Sequence, residues 1–172
     1  DRPIWLTAAE GRGTVTIVAA DDALSVITIQ GENNIIVRDL VIEGGYDGIA
    51  VTQGGRDYTD LVDNVAIEGN VIRGASHDGI KVGQANNVVI ADNLVDGAGE
   101  QGIDILAVTH ATVTGNEITN VAGSSGLFAK GGSSDLLITD NYIHHVAGDG
   151  LLVGGWTSAG SFLPGTDYEA RD

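Results

Sequence analysis

The chain has no cysteine and no methionine, so no disulfide framework holds it together, and cysteine usage does not assign a redox compartment. Aromatic residues make up only 5% of its 172 positions, so aliphatic stacking must supply most of the core. There are two prolines against 26 glycines, and the glycines recur at intervals instead of clustering. That distribution excludes a flexible linker. Positive charge is scarce: Lys81 and Lys130 are the only lysines, and the formal net charge is -16. A surface that acidic argues against a nucleic-acid partner, which needs a basic footprint to meet phosphates. No stretch reads as a signal peptide or as a span that inserts in a membrane. The start at Asp1 is compatible with a processed or trimmed chain.

What is present is a repeat. Asp78-Gly79-Ile80-Lys81-Val82, Gln101-Gly102-Ile103-Asp104-Ile105, Ser125-Gly126-Leu127-Phe128-Ala129 and Asp149-Gly150-Leu151-Leu152-Val153 all read Gly-apolar-x-apolar, with glycines 23, 24 and 24 residues apart. Asp47-Gly48-Ile49-Ala50-Val51 is an earlier copy, 31 residues upstream of Gly79. A fixed period of this size means stacked repeats. A second column aligns Asp39, Asn70, Asn93, Asn116 and Asn141, with Ile36, Ile67, Ile90, Val113 and Ile138 three residues before it. Val41, Ile72, Val95, Ile118 and Ile143 lie two residues after it.

Each repeat therefore holds short strands with apolar residues at every second position, too short to bury themselves alone. Stacking puts equivalent residues about 4.8 Å apart. The aliphatic columns become internal ladders, and the asparagines can form an amide ladder through the coils. The glycine column is expected to supply a bend. The Asp-Gly column, including Asp47, Asp78 and Asp149, is read as structural. The absence of a 3.6-residue period excludes a βαβ fold. Residues 1–24 are expected to form an irregular first coil or cap, 25–153 the regular coils, and 154–172 a loop and the start of a further coil.

Asn70-Val71-Ile72 followed by His77-Asp78-Gly79-Ile80, with its relatives over about residues 25–153, resembles the repeat of the pectin-lyase-like superfamily. The opening Pro3-Ile4-Trp5-Leu6 is similar to the start of chondroitinase B and alginate lyase-type β-helices. The resemblance implies an all-β fold, a single-stranded right-handed parallel β-helix of roughly six to seven coils. It also implies a secreted, bacterial-type, carbohydrate-active protein. The superfamily spans lyases, hydrolases, C5-epimerases, adhesins and tailspikes, so the fold alone does not choose an activity.

Chemistry is expected where the outward x column breaks pattern. That column reads Ala50, Lys81, Asp104, Phe128, Leu152, and two residues on lie Thr52, Gly83, Leu106, Lys130 and Gly154. Lys81 and Asp104 are in register on adjacent coils, with Lys130 one coil further and His77 and Glu100 just before the bend. Long loops follow Val51 and Val153, carrying Arg56 and Tyr58 on one and Trp156 on the other. They would wall a trough for a polysaccharide or oligosaccharide, with Arg56, Tyr58, Phe128 and Trp156 against the sugars.

On this reading the reaction is proton abstraction at C5 of a uronate, by a lyase or epimerase. Lys81, Asp104, Lys130 and His77 are the catalytic candidates, and Lys81 or neutral His77 is the base. Glu100 and Asp104 could hold Ca²⁺. A hydrolase would instead use Asp104 and Glu100 as acid and base. The competing expectation is a non-catalytic module for carbohydrate binding, adhesion or structure, in which Lys81–Asp104 is a surface ion pair worth under about 1 kcal/mol. Under it, further coils or a partner subunit would cover the C-terminal end. His144 and His145, adjacent in a turn, read as a poor metal site, and His110 as a solvated turn residue.

Overall fold

The structure is a computed structural model that describes residues 2–54 and 60–155. Every regular element among them is a strand. The first coil contributes β1 (Ile4–Thr7), β2 (Thr16–Val18) and β3 (Ile27–Gln30), and the second β4 (Ile35–Arg38), β5 (Val41–Glu43) and β6 (Ile49–Thr52). Then follow β7 (Val62–Glu68), β8 (Val71–Arg73), β9 (Ile80–Ala91), β10 (Leu94–Asp96) and β11 (Gln101–Thr114). The last are β12 (Glu117–Val121), β13 (Ser125–Lys130), β14 (Ser134–Thr139), β15 (Tyr142–Val146) and β16 (Asp149–Val153). β9 and β11 each turn a corner and serve two faces, so sixteen strands make six coils of three in a parallel β-solenoid.

Face A stacks β1, β4, β7, the second halves of β9 and β11, and β14. Face B stacks β2, β5, β8, β10, β12 and β15. Face C stacks β3, β6, the first halves of β9 and β11, β13 and β16. The strands are short because each holds only two or three inward positions before a corner. Ile49, Ile80, Ile103 and Leu127 form one wholly buried inward ladder, and Ile42, Ile72, Val95 and Ile118 another. Strands β1 to β3 already stack in register on β4 to β6, so the irregularity of the opening lies in its turns.

The asparagines form a continuous internal ladder. Asn70 Nδ2 donates to Asn93 Oδ1 at 3.0 Å, Asn93 to Asn116 at 3.0 Å, and Asn116 to Asn141 at 2.9 Å. Asn93, Asn116 and Asn141 also take the backbone N–H of the asparagine below, as Asn93 Oδ1 does from Asn70 N at 2.9 Å, and Asn70 Oδ1 takes that of Leu40. This satisfies amides that would otherwise be buried unpaired at the corner between faces A and B. Asp39 does not belong to this column. Val41 pairs with Val71 and Val37 with Ile67, so Leu40 occupies the slot and Asp39 lies against Gly69. The alignment slips by one because the turn between Glu43 and Asp47 is one residue shorter than that between Arg73 and Asp78.

The glycine column also has a different cause from the expected bend. None of Gly48, Gly79, Gly102, Gly126 or Gly150 has positive φ. At Gly102 a Cβ would sit 2.3 Å from Ile118 Cγ2 and 2.5 Å from Gly126 O. From Gly48 to Gly126 the column is glycine because a Cβ would collide with a face B side chain and with the carbonyl oxygen of the next glycine in the stack. The left-handed positions lie at the other corners, as at Asn34, Asn64, Asn87, His110 and Asp135. His110 is thus a corner residue, and its Nδ1 lies 3.0 Å from Asn86 Oδ1.

Candidate functional site

On face C, strand pairing stacks Ala50, Lys81, Asp104 and Phe128 on successive coils, with Leu106 beside Lys130. Lys81 Nζ donates to Asp104 Oδ2 and to Asp78 Oδ2, each at 2.8 Å. Asp78 and Asp104 are wholly buried. The second oxygen of Asp104 faces Lys130 Nζ at 3.0 Å, an ion pair whose alignment falls outside hydrogen-bond geometry. Both lysines of the chain therefore converge on one buried carboxylate.

Burial pushes the Asp78 carboxyl above its ordinary value of 3.8, although the Lys81 charge draws it down. An ion pair alone would lower it; here the desolvation of a wholly buried acid outweighs the Lys81 charge. Burial also works against a charged Lys81, but Asp104 and Asp78 outweigh it and hold the ammonium above its ordinary 10.5.

The turn before this strand brings a second group to the first. His77 Nδ1 lies 3.2 Å from Asp47 Oδ1 and 3.0 Å from Asp78 Oδ2, while Nε2 lies 2.5 Å from Glu100 Oε2. The imidazole stacks on Tyr46 with ring centroids 4.4 Å apart. Ser25 Oγ donates to Asp47 Oδ2 at 3.0 Å, and Gln101 Nε2 to Glu100 Oε1 at 3.0 Å. Asp78 joins the two groups, touching both His77 and Lys81. Asp47 and Asp78 take their places because each carboxylate also accepts a backbone N–H from the coil above, at Asp78 and Gln101 respectively.

Exposure divides these residues by what they can touch. The Glu100 side chain is 48% exposed, Lys81 31% and His77 22%, whereas Asp78 and Asp104 are at 0%. A ligand can reach the carboxylate, ammonium and imidazole tips; the buried acids can only hold them. Beside Lys81 a groove of about 330 Å³ opens over the first four coils, lined by Ser25, Thr28, Asp47, Ala50, Thr52 and Lys81 among others. It is sized for a small ligand or one unit of a chain.

Lys81, Asp104, Lys130, His77 and Glu100 thus come together as one network. Phe128 does not offer a sugar platform: its ring is buried, Lys130 Nζ sits 4.3 Å from its centroid, and Gly155 abuts its edge. Arg56, Tyr58 and Trp156 lie outside the described residues. Asp47 and Asp78, read from the sequence as purely structural, prove to be the groups that orient His77 and Lys81. The signal for Asp78 was its position three residues before Lys81, in a column whose side chains lean toward the same edge.

The donor set does not suit calcium, which takes 6–8 oxygen ligands. Both oxygens of Asp104 are taken by ammonium groups, and Glu100 is engaged by His77 and Gln101. Among the described residues, three ligand atoms lie together within 4.8 Å, those of Asp47, His77 and Asp78. They offer one nitrogen and two carboxylates that already serve N–H and O–H donors.

No curated protein matches the chain. Residues 22–162 match the family described as right handed beta helix region. With most of its length matched and six stacked parallel coils, the chain belongs to the right-handed β-helix family.

Proposed function

We propose that the protein acts on an acidic polysaccharide, removing the C5 proton of a uronate unit as a lyase or epimerase does. The observation that carries this reading is the joining, through buried Asp78, of an accessible imidazole and an accessible ammonium. A proton next to a carboxylate is removed more readily when a fixed cation stabilises the charge that develops on that carboxylate. Lys81 is held protonated by Asp104 and Asp78, so it supplies the cation and not the base. His77 is the base at Nε2. Its other nitrogen is held by Asp47 and Asp78, which orient the ring against Tyr46. Glu100, long and half-exposed, shares a proton with Nε2 at rest; when the sugar enters it swings out carrying that proton, which frees the Nε2 lone pair to take the proton from C5. No step is routed through a metal ion.

A second reading, a non-catalytic glycan-binding or structural module, is favoured by the mutual saturation of the charges: Lys81 lies between two acids and Lys130 on one. One experiment separates the two. The protein is incubated with alginate, pectate and chondroitin, and unsaturated product and uronate composition are followed. Activity on one of them, abolished in His77→Ala and Lys81→Met, supports the catalytic reading. Binding of a glycan without any change in it supports the module and removes the enzyme.

A further inference from the structure

We propose that His144 and His145, on face B of the sixth coil, form a two-nitrogen chelate for a borderline transition-metal ion such as Cu²⁺, Ni²⁺ or Zn²⁺. The pair lies in β15, on a different face from the Lys81–His77 network, and rests on none of its chemistry.

Adjacent residues of a strand normally point to opposite sides. Here they do not, because His145 sits at the corner position that follows the paired column Glu43, Arg73, Asp96, Thr119 and His144. That corner is left-handed in every regular coil, occupied by Gly44, Gly74, Gly97 and Asn120 before His145 takes it with φ 51°. Glycine and asparagine are the ordinary occupants of such a conformation. The left-handed backbone swings the His145 ring back over its neighbour, so that the two Nδ1 atoms face each other at 2.5 Å.

The second observation concerns which nitrogen is free. His144 Nε2 lies 3.3 Å from the Glu117 carboxylate one coil below. A carboxylate accepts and cannot donate, so it holds the proton on Nε2 and leaves the Nδ1 lone pair directed at His145, whose Nδ1–H donates to it at rest and which shifts to its Nε2–H tautomer when a metal ion takes the proton's place. A carboxylate behind an imidazole whose other nitrogen is bare is the arrangement that supports metal-ligating histidines and raises their basicity. Tyr142 stacks on the His144 ring at 4.3 Å and fixes its plane. Thr119 Oγ1, 3.2 Å from His144 Nδ1, stands where a third, weaker ligand or a water-holding group is wanted.

Imidazole suits Cu, Ni and Zn, whereas hard cations prefer oxygen. Metal–nitrogen bonds of about 2.0–2.1 Å at a tetrahedral angle would separate the two nitrogens by about 3.3 Å. The rings must therefore part by under about 1 Å, which the exposed His145 side chain can supply by rotation. Solvent completes the coordination, so the site is open on one side.

The test is a Cu²⁺ titration of the tag-free protein by calorimetry, with electron paramagnetic resonance on the loaded sample. The expected result is one equivalent bound, with splitting from two nitrogens. His145→Ala should remove one nitrogen from the spectrum and lower affinity about tenfold or more. Glu117→Gln should keep both nitrogens and weaken binding about 10–100-fold. Excess Ca²⁺ should not displace the copper, and His77→Ala should leave the two-nitrogen signal intact. Both histidines are solvent-accessible, so circular dichroism of the variants should match the parent. Absence of saturable Cu²⁺ binding, or binding unchanged in His145→Ala, or binding lost in His77→Ala, would each overturn the assignment.

Discussion

Lys81→Met isolates the charge balance on which the face C site rests. Methionine keeps most of the aliphatic stem but removes the ammonium that lies 2.8 Å from both Asp78 and Asp104. Removing one partner of a buried ion pair costs about 3–5 kcal/mol, because the remaining charge is left without compensation. Two features reduce that here. The Lys81 side chain is 31% exposed, and Asp104 keeps Lys130 at 3.0 Å. The expected loss is about 2–3 kcal/mol. For a chain of this length that corresponds to a fall in melting temperature of about 4–12 °C.

The pH dependence of this loss has a definite sign. Burial raises the Asp78 carboxyl in the folded chain, so the folded chain holds that proton more tightly than the unfolded one. The penalty for keeping Asp78 ionised is present above the raised value and is relieved as pH falls through it toward 3.8. Without the ammonium the penalty grows, so the loss in Lys81→Met is largest at neutral pH and shrinks toward about pH 4. In the parent, the contribution of Lys81 is full below 10.5 and is lost only as pH climbs through its raised value. Calorimetric melts of parent, Lys81→Met and Lys81→Met/Asp78→Asn across this range measure the effect, and the double variant should recover part of the loss. An unchanged melting temperature in Lys81→Met at neutral pH, or a loss that grows on acidification, would refute the reasoning.

Other perturbations address the scaffold. Asn93→Ala strips the acceptor from Asn70 N and Nδ2 and the donor from Ile67 O. Asn70 Nδ2 keeps Val37 O at 3.0 Å, so two buried groups are left unpaired, and at about 1–3 kcal/mol each the variant should lose about 2–6 kcal/mol in denaturant melts. Gly102→Ala drives a methyl to 2.5 Å from the Gly126 carbonyl oxygen, and should cost about 3 kcal/mol. Gly150→Ala, whose added methyl meets nothing nearer among the described residues than Ile143 Cγ2 at 3.9 Å, should stay within about 0.5 kcal/mol of the parent. Ser125 Oγ is buried without a partner among the described residues, so Ser125→Ala should be neutral or stabilising by up to about 1 kcal/mol in the same melts.

Much of this architecture is legible from columns of residues. Ala50, Lys81, Asp104 and Phe128 share a register because each lies two residues after the glycine of its coil, and a parallel stack repeats that register. The amide ladder is legible for the same reason from Asn70 onward. Legibility fails where turn length varies. Counting nine residues back from Gly48 lands on Asp39, yet the short turn between Glu43 and Asp47 moves Leu40 into the slot. It fails again where burial decides function. An outward position reads as exposed, but Asp104 and Phe128 on this face are covered by neighbouring side chains. Nor does spacing reveal that His145, in a left-handed corner, turns back toward His144.

The proposed reaction, removal of the C5 proton of a uronate by His77 beside the Lys81 ammonium, leaves an isotopic trace. Incubating the protein with alginate, pectate or chondroitin in deuterated water and reading deuterium at C5 tests it directly. The assay detects proton abstraction whether the product is unsaturated or epimerised. Deuterium is expected in recovered saturated uronate units, or unsaturated ends where elimination follows, with both lost in His77→Ala and in Lys81→Met. Full retention of hydrogen at C5 with the parent protein on all three substrates, or unchanged exchange in His77→Ala, would contradict it.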